Sequence, residues 1–199
     1  MTEQLQQTLK EEFNLFRLID NNLTFNKCQL IFDIKFNSNS TKIARENSFK
    51  SIHIWIKNVI NNSLAYNVFN SNNIDISELK NPLIFCPAEP HDYLMLYLIH
   101  SKINAIGQGN VIITRTSFCA DDMLSFSYSG NAANELPDIS TWMGAYTYFD
   151  NPWWTRSDGS TIDMPADEYD DLNNKPDILI ELCHTSTAEI IKPNFRVVE

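Results

Sequence analysis

Residues 82–130 read PLIFCPAEPHDYLMLYLIHSKINAIGQGNVIITRTSFCADDMLSFSYSG and place three kinds of hydrophobic pattern in succession. The run PLIFC (82–86) is short, apolar and bounded by prolines, as a buried strand is. HDYLMLYLIHSKINAI (91–106) has the length and spacing of a helix, with Pro90 near its start and Gly107 just past its end, the usual asymmetry of helix termini. VIITRTSF (111–118) and MLSFSYSG (123–130) alternate like strands, and the short link Cys119-Ala-Asp-Asp122 predicts an antiparallel hairpin.

Residues 23–36, LTFNKCQLIFDIKF, alternate over their second half and read as a strand. Asn37 to Thr41 is turn chemistry with Thr41 as a helix N-cap. From Thr41 to about Asn62 two periods compete: Ile52, Ile54 and Ile56 alternate, while Phe49, Ile52, Ile56, Val59 and Ile60 form a helical stripe, and length favours the helix. Thr2 to Ile19 places Leu5, Leu9, Phe13, Phe16 and Ile19 at three- and four-residue intervals, which predicts an amphipathic helix stopped by Asp20-Asn21-Asn22. The Asn-rich sequence from Asn61 to Asn73 reads as loop, with a short ordered piece at Leu64–Phe69.

Residues 131–176 change character to turns, aromatics and acids, with a strand expected near Ala145–Phe149. DILIELCH (177–184) fits a central strand and the tail an edge strand. The expectation is a single α+β domain over 1–199, mainly antiparallel, with two or three helices concentrated in the N-terminal half.

The chain has 199 residues and a formal charge of −10. Residues 1–100 hold ten acids against nine Lys/Arg, and residues 101–199 hold fifteen against six. Between Ser117 and Ile190 only Arg156 and Lys175 oppose fourteen acids, which disfavours direct nucleic-acid binding and favours a cationic partner. Cys28, Cys86, Cys119 and Cys183 are widely spread beside apolar runs, without zinc-like spacing. No secretory signal pattern opens the sequence, and the longest apolar stretch, Tyr93–Ile99, is too short for a bilayer. A cytoplasmic protein without membrane association is expected.

Catalytic templates are incomplete. His91 lies near Cys86 and could pair with its thiol, and His184-Thr185-Ser186 resembles half of the signature of two-histidine phosphoesterases. That chemistry needs two such motifs facing each other, and His53-Ile54-Trp55 puts an indole where the second hydroxyl belongs. No nucleophile elbow, phosphate-binding glycine loop or HExxH motif occurs. Asp158 to Asp163, followed by Asp167, Glu168, Asp170 and Asp171, lacks the calcium-loop spacing, so neither cofactor nor metal is expected.

Trp142, Tyr146, Tyr148, Phe149, Trp153 and Trp154 precede those acids closely. Two adjacent tryptophans cannot both be buried by a regular strand, so at least one is expected at the surface. The leading expectation is a non-enzymatic protein that binds a basic protein. Asp163, Asp167, Glu168, Asp170 and Asp171 would steer the partner, and Trp142, Trp153 and Trp154 would form the desolvated contact. The role would be that of an inhibitor, an immunity-type antagonist, a DNA mimic or an assembly subunit. The alternative is a small hydrolase or phosphoesterase using His184 or the Cys86/His91 pair, metal-assisted through the acidic loop; a third reading is sugar binding on the indoles.

Overall fold

A computed structural model describes residues 6–70, 81–121, 124–130, 135–136, 142 and 151–163. The chain order is β1 (Gln6–Ile19), β2 (Asn22–Phe36), α1 (Lys42–Ile54), β3 (Ser63–Asn67), β4 (Leu83–Cys86), α2 (Asp92–Gly107), β5 (Val111–Ala120) and β6 (Phe126–Tyr128). These elements make an α+β arrangement in which one six-stranded sheet runs β4-β3-β1-β2-β5-β6. The β1–β2, β2–β5 and β5–β6 pairs are antiparallel, whereas β3 runs parallel to both β1 and β4. The sheet is therefore mixed, not mainly antiparallel.

The expected N-terminal helix is the strand β1. Leu9 and Phe13 are four residues apart, an interval that suits one face of a helix and one face of a strand alike. Long-range pairing decides between them: Leu9 lies opposite Phe32 and Phe13 opposite Cys28. Asp20 and Asn21, read as a helix stop, both take positive φ (50° and 61°) and form the two-residue turn of the β1–β2 hairpin.

Thr41 caps α1, its hydroxyl accepting from the Ala44 amide at 3.1 Å. The helix continues into a π-helical segment, Trp55–Ile60, which buries Trp55, Ile56, Val59 and Ile60. The helical stripe thus prevails over the alternation in this region. The expected α2 and the β4, β5 and β6 strands all form, and the ordered piece near Leu64 is β3. Gly107 is the last residue of α2, and Gln108 takes the left-handed position after it.

Both helices lie on one face of the sheet. Glu11 of β1 meets His53 of α1, Arg17 of β1 meets Asp92 of α2, and Thr116 of β5 meets His100 of α2. A single hydrophobic cluster fills the space between the layers, from Phe13, Leu15 and Phe32 to Trp55, Leu98 and Ile103, and it includes Trp142, Trp153 and Trp154. The opposite sheet face leaves Leu23, Phe25, Ile31 and Ile112 exposed. The strand expectations near 145–149 and 177–184 and for the tail lie outside the described residues.

Candidate functional site

The segment 151–163 lies along β4 and α2. Trp153 and Trp154 sit in a 3₁₀ turn, Trp153–Thr155, where successive side chains diverge by roughly 120°. Adjacent indoles can then both be buried, which a strand would forbid. Trp142, Trp153 and Trp154 are each only 1% exposed, so the expected surface platform is turned into the core. Trp154 packs edge-on against Trp142 at 4.9 Å and against Trp153 at 5.7 Å. Trp153 Nε1 donates to the Phe85 carbonyl at 2.8 Å, the Phe85 amide donates to the Thr161 carbonyl at 2.9 Å, and the Thr161 hydroxyl donates to the Leu83 carbonyl at 2.6 Å. The outer edge of β4 is sealed by these bonds.

Asp163, expected to steer a partner, is fully buried. One carboxylate oxygen receives the Trp142 indole at 2.7 Å and the Trp153 amide at 3.0 Å, and the other receives the Arg156 guanidinium. Lys102 of α2 is also buried and donates to the carbonyls of Trp153 (2.8 Å) and Arg156 (2.9 Å) and to Asp158 (3.1 Å). Burial pushes the Lys102 ammonium down to about 8, against the opposing pull of Asp158. Burial raises the Asp158 carboxyl, but Lys102, Ser160 and Arg156 together hold it below the usual range. The acids at 158 and 163 are thus spent on internal cations. Asp167, Glu168, Asp170 and Asp171 lie outside the described residues, as does His184.

The Cys86/His91 pair does not assemble. Cys86 is completely buried, its thiol near the Ile84 carbonyl (3.8 Å) and Met95 Sδ (3.9 Å), and burial drives it well above its ordinary value. His91 stands at the N-cap of α2 with its ring stacked on Tyr93 at 5.9 Å.

A different acidic and aromatic surface does form. The strand directions bring the ends of β1, β3, β4 and β5 and the start of α2 to one pole. Glu89 accepts from Asn67 (3.2 Å), Asn70 (3.0 Å) and the Asp20 amide (3.3 Å); these bonds outweigh desolvation and keep it ionised. Asp121 accepts from Asn26 and from the Lys27 amide, and its carboxyl is likewise held low. Asp92 pairs with Arg17, which is itself buried.

From this pole an aromatic row descends α2 to β6. Tyr93 meets Tyr97 at 6.5 Å, Tyr97 meets Tyr128 at 4.9 Å, and Tyr128 meets His100 at 5.2 Å. Burial and the nearby charge of Glu135 raise the Tyr128 phenol. Tyr93 is 49% exposed, Phe126 42% and Leu124 79%. The sequence carried this signal in the four-residue spacing of Tyr93 and Tyr97 and the alternation of Leu124, Phe126 and Tyr128. The described residues hold eleven acids and eleven Lys/Arg, so the formal excess of −10 falls on the remaining sequence.

No protein-family model matches the chain, and no curated protein matches it. Among solved structures it is similar to the uncharacterized protein WS1659 from Wolinella succinogenes, with 13% identity and a TM-score of 0.40 over 63% of this chain and 99% of that one.

Proposed function

We propose that the protein is a non-enzymatic binding protein whose partner is a basic protein. The observation that carries this reading is that Glu89 and Asp92 at the start of α2 and Asp121 at the end of β5 share one pole, and that Tyr93 on α2 and Leu124 and Phe126 after β5 are exposed apolar side chains. Carboxylates steer a cationic partner, and exposed aromatics supply the desolvated centre of a contact. Such a surface suits an inhibitor, an immunity-type antagonist of a basic enzyme, a DNA mimic or an assembly subunit. The free, buried thiols of Cys28 and Cys86 support a reducing, cytoplasmic setting. No helix among the described residues is long and apolar enough to cross a membrane.

The test is capture of partners by the full chain from lysate of its source at about 50 mM and about 500 mM salt, which bracket strong and weak screening. The expected result is one basic protein retained at low salt, released at high salt, and weakened at least tenfold by the double change Tyr93→Ser and Phe126→Ser. Binding indifferent both to salt and to these two changes would sink the proposal.

A further inference from the structure

Resting on that reading, we propose that the partner engages by strand addition, an extended and positively charged segment pairing with the outer edge of β6. Sheet edges attract other strands and folded proteins protect them, and here the protection is selective. The β4 edge is covered by Thr161 and Trp153. At the other side of the sheet the first part of β5 is also closed: Gln108 bridges Val111, and the Asn104 amide group both accepts from the Ile113 N–H (2.9 Å) and donates to the Ile113 carbonyl (3.2 Å).

The remainder of β5, Thr116–Phe118, pairs with β6, and among the described residues no group pairs with the outer edge of β6. Its flanking sequence LSFSYSG (124–130) contains no Lys, Pro or other charge that would repel an incoming strand. β6 is also held ready. Ser127 Oγ bonds Ser117 Oγ at 2.6 Å, and His100 Nε2 donates to the Gly130 carbonyl at 3.2 Å.

An added strand would place alternate side chains beside Phe126, Tyr128 and Tyr97 on the helix side of the sheet. On that side Glu135 lies within electrostatic reach of Tyr128, and Asp121 stands at the end of β5, the strand next to β6; of the cations that act on Asp121, Arg17 is buried against Asp92 and Lys27 is exposed on β2. Arg115 contacts Ser127 from the opposite face. Lys or Arg alternating with apolar residues complements this arrangement. A second copy does not, because β6-to-β6 pairing would bring the same carboxylates together.

The probe is an alternating Lys-Val octapeptide, compared with an alternating Glu-Val octapeptide and with a Lys-Val version N-methylated along one edge. Binding is read by fluorescence anisotropy, and amide exchange of the full chain is mapped by mass spectrometry. The proposal expects salt-sensitive binding of Lys-Val, exchange slowed about tenfold or more across 126–128, and neither effect from the other two peptides. Equal binding of the N-methylated peptide, or binding without slowed exchange at 126–128, overturns strand addition and leaves the acidic-surface reading standing. Failure of every peptide while a basic protein is still captured at low salt does the same. Slowed exchange that depends on protein concentration without peptide overturns the proposal in favour of a second copy.

Discussion

Arg156 closes on Asp163 in the interior, and the same carboxylate takes the Trp142 indole on its other oxygen. One acid therefore ties the 3₁₀ turn at 153–155 to a tryptophan eleven residues before it. Removing one member of a buried pair strands the other charge, at a cost of about 3–5 kcal/mol. Asp163→Asn is expected to destabilise by about that amount in urea unfolding. Arg156→Met together with Asp163→Asn should cost less than the sum of the two single changes, because each single change strands one charge of the pair and the double change strands neither. Additivity to within about 0.5 kcal/mol would refute the pairing.

Lys102 carries a pH signature of its own. Its folded value of about 8 lies below the ordinary 10.5, so between these values the unfolded chain binds the extra proton and stability rises with pH. The neutral amine still has two N–H donors for the Trp153 and Arg156 carbonyls. Relative to Lys102→Met, the protein should gain about 2–3 kcal/mol between about pH 7.5 and pH 10. A constant difference between the two proteins across that range would show that burial does not depress this ammonium.

His100 acts in the acid range. It is buried against Thr116 at 2.8 Å, and burial holds its pKa below the ordinary 6.5 despite the Gly130 carbonyl. The stability due to neutral His100 is fully present above 6.5 and is lost as pH falls through the folded value. His100→Gln keeps hydrogen-bonding groups for both partners and cannot titrate. Its denaturation midpoint should fall less steeply below pH 6.5 than that of the parent, and identical slopes would contradict the assignment.

Cys86 offers a check on the hydrolase alternative. Burial raises the thiols of both Cys86 and Cys28, the latter to about 12, and thiols so held are poor nucleophiles. Iodoacetamide at neutral pH should leave both unlabelled in the native protein and modify both in urea, as read by peptide mass mapping. Rapid native labelling of Cys86 would revive the Cys86/His91 pairing.

Much of the fold was legible because the patterns were local. PLIFC, the helix from 92 and the β5–β6 hairpin each announce themselves within a few residues, and Thr41 caps α1 through its own hydroxyl. β1 was misread because Leu9 and Phe13 satisfy both periods and the deciding partners, Phe32 and Cys28, lie in another strand. The parallel pairing of β3 with β1 likewise depends on a crossover that no short window contains. Burial of the tryptophans and of Asp163 was hidden for a related reason: Trp153 and Trp154 are unburiable only on an extended backbone, and Asp163 is free only if Arg156 is not beside it.

Asn104 is the side chain on which the selective protection of the sheet edge depends. Its amide meets both backbone groups of Ile113, as a neighbouring strand would. Asn104→Ala should leave those groups without a protein partner, lowering stability by about 1–3 kcal/mol, and should speed exchange of the Ile113 amide. It should also enlarge the open edge from β6 into β5, so self-association at high protein concentration should rise in sedimentation velocity. Asn104→Asp distinguishes the two effects, since a carboxylate still accepts from the Ile113 N–H but cannot donate to the carbonyl and adds a charge at the edge. That variant should lose stability without gaining self-association; equal association of both variants would show that Asn104 serves packing alone.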